Sequence, residues 1–186
     1  EGVTIHRGTA PGSVTRVGAG CFLMAYAHIA HNCTLGERVI VGNNVKLAGH
    51  VAISDRAFLS GGVGVHQFCR IGRLAMLGGN CKATQDCLPF VIVDGVPARS
   101  AGLNVVGLRR AGVSAAQIRT LREAYRLLLR SALLRDEALT RMAALGEPLV
   151  EELVAFVRGG KRGFCHAGRG GQATGRPGGV GEGADS

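Results

Sequence analysis

The sequence predicts a mainly β chain: a parallel β-helix of six-residue repeats, followed by a small α-helical region. Two periodic columns carry that prediction, and a change of period near residue 100 bounds it. An aliphatic residue recurs every sixth position eleven times, at Val17, Leu23, Ile29, Leu35, Val41, Leu47, Ile53, Leu59, Val65, Ile71 and Leu77. Neither the 3.6 period of a helix nor the alternation of a flat strand gives a strict six. A strand–corner–strand repeat does, because each short strand sends the same side chain inward at the same place. Two positions ahead runs a column of smaller residues: Cys21, Ala27, Cys33, Val39, Val45, Val51, Ala57, Val63, Cys69, Ala75, Cys81 and Cys87. One large and one small inward residue per strand fill a narrow interior in stacked layers.

The elements follow in order. Residues 1–16 suggest one further coil, interrupted by an irregular loop around Ala10-Pro11-Gly12. Residues 17–88 hold twelve hexads in register, which at three strands per coil makes four coils of three hexads each. The repeat ends near Leu88-Pro89, where Pro cannot join a central ladder. Turn signals follow at Asp94-Gly95 and Val96-Pro97. Ser114 and Gln117 then form a capping box, and Ile118, Leu121, Tyr125 and Leu128 make the apolar face of a helix. Further helices are expected at 135–144 and at 148–158, the second opening on Pro148 in its first turn. The expected organisation is a β-helix over 1–100, a helical domain over 101–158 and a Gly-rich, disordered tail over 159–186. The first residues, Glu-Gly-Val with no Met, enter an already extended pattern, which suggests that an upstream portion is missing.

Composition adds bounds. Five of the six cysteines lie in the small column, all but Cys165, so they read as core residues and not as zinc ligands or disulfides. Such use suggests a reducing, cytoplasmic setting. No run is apolar enough to span a bilayer. A net charge of +9 points to anionic partners, but without Trp or an aromatic-rich basic stripe it does not point to nucleic acid. Thirty glycines suit many tight corners.

Counting in eighteens brings scattered histidines together. One column reads His31, Gly49, Gln67; its neighbours read Asn32, His50, Phe68 and Ala30, Ala48, His66. His28 lies on the preceding corner segment of the same coil. Polar residues at such corners are commonly just solvated, yet four of six histidines on one edge favour a site. Three imidazoles can bind zinc. Alternatively one acts as a general base while others bind substrate. Gly49, one layer from His31, favours the second, because glycine lets a ligand approach its backbone N–H. A base beside such a donor suits acyl transfer, where an oxyanion must be held. No Ser or Cys in these columns offers a covalent nucleophile, so direct transfer is the simpler scheme.

Specific strings then carry a resemblance. Thr4-Ile5-His6-Arg7-Gly8, His28-Ile29-Ala30-His31-Asn32-Cys33, Leu47-Ala48-Gly49-His50, Val65-His66-Gln67-Phe68, Gln85-Asp86 and Asn104-Val105-Val106-Gly107-Leu108-Arg109-Arg110 resemble the UDP-N-acetylglucosamine O-acyltransferase family of lipid A synthesis, within the hexapeptide-repeat acyltransferases. The resemblance covers residues 1 to about 166 and lacks roughly the first third of the family's chain. It implies a left-handed parallel β-helix, a homotrimer with active sites between subunits, and a C-terminal helical domain. It implies transfer of an (R)-3-hydroxyacyl group from acyl carrier protein to the 3-hydroxyl of UDP-N-acetylglucosamine, the first step of lipid A synthesis. The acyl group rides on the carrier's phosphopantetheine, and no other cofactor or metal is implied. By the same resemblance His31 is the general base and the Gly49 N–H holds the oxyanion. His28, His50, His66 and Gln67 position the sugar nucleotide or the acyl group. Asn104 and Arg110 reach the nucleotide, and Gly79 falls at the end of the acyl pocket. The Arg-rich C-terminal region suits an acidic carrier protein. The family usually has Asp after the catalytic His; Asn32 replaces it here and supplies no charge to the imidazolium.

Three alternatives stand beside this reading. One is the related N-acyltransferase that acts later in the same pathway, one a γ-type carbonic anhydrase-like zinc enzyme, and one a fragment that is not catalytically competent.

Overall fold

A computed structural model describes residues 1–168. Thirteen two-residue strands wind between Thr4 and Ala83 and stack into three sheets, the faces of a prism. The first face holds Thr4–Ile5, His28–Ile29, Lys46–Leu47, Gly64–Val65 and Lys82–Ala83. The second holds Arg16–Val17, Thr34–Leu35, Ala52–Ile53 and Arg70–Ile71. The third holds Phe22–Leu23, Ile40–Val41, Phe58–Leu59 and Met76–Leu77, followed by Val91–Asp94 and the antiparallel strand Arg99–Leu103.

Parallel partners lie three hexads apart through the repeat, as in Arg16 with Thr34 and Gly64 with Lys82. Two departures bracket it. Thr4 pairs with His28, four hexads on, because the loop around Pro11 absorbs one extra hexad. Met76 pairs with Ile92, just short of three hexads on, where the repeat gives way at Pro89. From Ala27 onward both inward columns are buried, whereas Val17 in the first coil is 36% exposed. All six cysteines are free thiols. Burial pushes Cys69 and Cys81 up to about 11, so both stay protonated and behave as core residues.

The corners do not turn on glycine alone. Each coil turns on a residue with left-handed φ at every sixth position from Gly20 to Asn80, and of these only Gly20 and Gly62 are glycines. The others include Asn32 (φ 61°), Arg56 (φ 55°) and His50 (φ 60°). The left-handed state costs an L-residue about 1–2 kcal/mol, so it persists only where the surroundings fix it. Here stacked backbone hydrogen bonds do so: His50 N–H donates to His31 O (3.0 Å) and Phe68 N–H to Gly49 O (3.1 Å).

Beyond the prism lie α1 (Val105–Arg110), α2 (Ala115–Leu129), α3 (Arg135–Ala143) and α4 (Pro148–Arg158). The Ser114–Gln117 capping box is present in both directions, and Pro148 opens α4. Ile118, Leu121 and Tyr125 turn inward from α2. Two arginines of the last coil dock this bundle. Asp86, 1% exposed, accepts from the Arg70 backbone N–H and guanidinium at 2.8 Å each. Arg70 also donates to Phe156 O (2.7 Å), and its guanidinium lies over the Phe156 ring. Arg73 forks onto Glu152. Among the described residues no helix is long and apolar enough to cross a membrane.

Residues 159–168, expected to belong to a disordered tail, are ordered against the prism. Asp86 N–H donates to Gly163 O, Cys165 N–H to Asp86 O, and Ser100 N–H to His166 O, which returns this segment to the prism. Phe164 and Cys165 are buried, and Cys165 Sγ lies 4.0 Å from Cys87 Sγ. Glycine richness hid these two apolar residues, which supply the burial that orders the segment. The remainder of the expected tail, 169–186, lies outside the described residues.

Candidate active site

The corner between the first and second faces brings four sequence-predicted residues into contact. The His31 ring lies directly on Gly49: a methyl added there would stand 2.5 Å from His31 Cε1 and 2.7 Å from Nε2. Only glycine fits under the imidazole. The Gly49 N–H donates to no atom of the described residues. His50 packs edge-on to His31, with ring centroids 5.3 Å apart, and stacks on Phe68 at 4.7 Å.

Asn32 sets the His31 tautomer. Its Oδ1 lies 2.9 Å from His31 Nδ1 and accepts from Thr9 N–H (3.3 Å) and the Thr9 hydroxyl (3.0 Å). The Thr9 amide can only donate, so the Asn32 atom at this position is the oxygen. His31 therefore carries its proton on Nδ1 and leaves Nε2 as an acceptor. Asn32 is itself held by Thr15, whose hydroxyl accepts from the Asn32 N–H at 2.8 Å. Thr9 belongs to the loop that broke the register, so counting in eighteens could not find it. His6 was lost in the same way; its ring meets His28 edge-on at 4.7 Å. His28 Nδ1 lies 2.7 Å from the Thr4 hydroxyl. Partial burial, then the neighbouring His6, lower His28 from its ordinary value.

Next to this corner a groove of about 580 Å³ runs along the first face, lined by His28, Lys46, Ala48, Gly64, His66 and Lys82 among others. Ala30 and Ala48, the neighbours of His31 and Gly49, line its edge. Gln67 is exposed at the corner layer beyond Gly49. Gly79 is exposed beside Asn80, which lines the groove, and a methyl there would meet only Gly61 O at 3.7 Å.

The remaining two predicted residues lie elsewhere. Asn104 and Arg110 line a second hollow of about 690 Å³ on the third face, together with Arg38, Arg56, Phe58 and Met76. The Asn104 side chain is occupied within the fold: Oδ1 accepts from Gly107 N–H and caps α1, while Nδ2 donates to Leu74 O, each at 2.9 Å. One chain does not bring this hollow to the histidine corner. Among the described residues no group of three His, Cys, Asp or Glu side chains is placed to hold a metal ion.

Comparison with known proteins gives this geometry a context. Residues 86–165 match the second domain of the UDP N-acetylglucosamine O-acyltransferase family, and residues 15–49 match the bacterial transferase hexapeptide repeat. The chain is 46% identical over 159 residues to the acyl-[acyl-carrier-protein]–UDP-N-acetylglucosamine O-acyltransferase of Synechocystis sp., covering 85% of this chain and 58% of that relative. It is 45% identical to the enzyme of the same name from Alkalilimnicola ehrlichii, covering 88% and 65%. The chain thus spans about three-fifths of the length of the curated relatives it matches. Its fold is similar to LpxA, a UDP-N-acetylglucosamine acyltransferase from Bacteroides fragilis, with TM-score 0.86 and 40% identity over 89% of this chain and 66% of that one. It is also similar to the UDP-N-acetylglucosamine acyltransferase from Campylobacter jejuni, with TM-score 0.81 and 33% identity over 90% of this chain and 69% of that one. Matched in sequence over both its β-helix and its helical region, and in fold over nearly all its described length, the chain belongs to the UDP-N-acetylglucosamine O-acyltransferase family.

Proposed function

We propose that the chain carries the catalytic coils of an enzyme that transfers an (R)-3-hydroxyacyl group to the 3-hydroxyl of UDP-N-acetylglucosamine, the first step of lipid A synthesis. The donor is the thioester on the phosphopantetheine of acyl carrier protein, and no further cofactor is required. One observation carries the proposal: His31, with Nδ1–H held by Asn32, lies with its ring against Gly49, whose backbone N–H has no partner among the described residues. His31 Nε2 takes the proton as the sugar oxygen attacks the thioester carbon. The Gly49 N–H holds the oxyanion. As the C–S bond breaks, the imidazolium returns its proton to the departing sulfur, giving an ester and a thiol.

The groove holds the ligands. His28, His50, His66 and Gln67 orient the sugar nucleotide or acyl chain, and Gly79 leaves room at the far end. Arg110, on the third face, suits phosphate oxygens. A ligand reaching both His31 and Arg110 needs a second copy whose third face covers the groove. Head-to-tail contacts of this kind can close into a ring, taken here as the homotrimer that the family resemblance implies. The Arg-rich helices suit an acidic carrier protein, and buried, free cysteines suit a cytoplasmic location.

An acyl-transfer assay with UDP-N-acetylglucosamine and 3-hydroxyacyl carrier proteins of several chain lengths tests the reading. His31→Ala is expected to lower kcat by about 10²–10⁴-fold with the fold retained. Retained activity in that variant removes His31 as the base. Transfer to an amine acceptor instead of the hydroxyl identifies the related N-acyltransferase.

A further inference from the structure

We propose that Arg162 is a positioning residue that fixes the tautomer of His66, so that His66 presents its Nε2–H to the groove as a hydrogen-bond donor. The sequence places Arg162 in a Gly-rich stretch with no period. The structure anchors that stretch at Arg162 itself and at the next residue: Gln85 Nε2 donates to Arg162 O (3.4 Å) and Asp86 N–H to Gly163 O (3.1 Å). The guanidinium then reaches across 96 residues of chain to His66, with Nη2 3.3 Å from Nδ1.

Nδ1 has a second neighbour, the backbone oxygen of Gln67, at 3.2 Å. The two neighbours demand opposite states. A protonated Nδ1 donates to Gln67 O and turns an N–H against the guanidinium. A bare Nδ1 accepts from Arg162 and leaves Gln67 O unused. Arg is always protonated, and a hydrogen bond from an ionised donor is roughly twice as strong as a neutral one. Arg162 therefore draws the lone pair, and the proton of His66 sits on Nε2. An imidazolium, with both nitrogens protonated, cannot accept from Arg162, so the contact belongs to the neutral ring. Since His66 lines the groove, its Nε2–H matches a ligand oxygen, either a carbonyl or a phosphate oxygen of the sugar nucleotide. His31 and His66 thus hold opposite tautomers: Asn32 makes one an acceptor at Nε2, and Arg162 makes the other a donor.

The proposal rests on the groove being the substrate site, but its first test does not. Nitrogen-15 NMR of the His66 ring near pH 8, where imidazoles are about fully neutral, reads the tautomer directly. The native chain is expected to show Nε2–H. Arg162→Ala is expected to move the proton to Nδ1, and Arg162→Lys to restore Nε2–H in most molecules. The Arg162 side chain is exposed, and an unchanged unfolding midpoint in each variant confirms that the fold is kept. In the transfer assay Arg162→Ala is expected to raise KM for UDP-N-acetylglucosamine by about 3–10-fold, the loss of roughly one hydrogen bond, with kcat within about twofold. Nδ1–H in the native chain, or Nε2–H persisting in Arg162→Ala, overturns the proposal. Absence of transfer by the native chain, with the tautomer shift seen, overturns the proposed function and leaves the positioning role standing.

Discussion

Gly49 and Asn32 fix what His31 can do, and each makes a prediction. A methyl at position 49 has to push the imidazole aside, because it would lie 2.5 Å from Cε1. A displacement near 1 Å costs about 10² in rate, so Gly49→Ala is expected to lower kcat at least that far, measured by transfer assay with the fold checked by circular dichroism. Unchanged kcat means that His31 does not work from this position. Asn32→Asp keeps an acceptor for Thr9 and for His31 Nδ1–H, and Asp tolerates the left-handed corner. The added charge strengthens the bond to the imidazolium by about 1–1.5 kcal/mol, which is roughly tenfold in kcat. Slower transfer by Asn32→Asp contradicts the role given to Asn32. The Gly49–His31 contact was legible in the sequence because an unbroken register makes distance a matter of counting. Thr9 and His6 were not, because a looped-out hexad erases the count. Asn104 was placed by resemblance alone, and the structure shows its side chain capping α1 and bonded to Leu74 O.

At the scale of elements, the inward columns predict thiol chemistry. Cys21 is half-buried in the first coil, while the other five cysteines are buried. A thiol reagent applied to the native protein is expected to label Cys21 and to reach the others only on unfolding. Rapid native labelling of Cys69 or Cys81, which burial holds near 11, contradicts the packing assigned to them. The junction between prism and helices rests on Asp86. Removing one partner of a buried pair costs about 3–5 kcal/mol, and Arg70 is partly exposed, so Asp86→Ala is expected near the low end, about 3 kcal/mol by denaturant unfolding. Helix starts were legible from Ser114, Gln117 and Pro148, because capping is local. The docking of α4 through Arg70 and Arg73 was not, because an arginine in a hexad carries no sign of a partner so far along the chain. The ordered segment 159–168 was hidden for a related reason: two apolar residues among glycines show no period, yet they suffice when a prepared edge awaits them.

For the whole molecule, the two hollows are the governing fact. The histidine corner and its groove lie at one edge of the prism, and Arg110 lines a cavity on the third face. A site that uses both exists only where two copies meet. Co-expression of His31→Ala with Arg110→Ala tests this most directly. On the proposed shared site, each variant alone lacks one half. In mixed closed rings, about a quarter of the contacts unite an intact His31 with an intact Arg110 from the next copy. The predicted result is transfer activity near that fraction of the native rate. Activity no higher than that of the better single variant would place both residues in one chain's site, or in none, and would contradict the composite site built on His31.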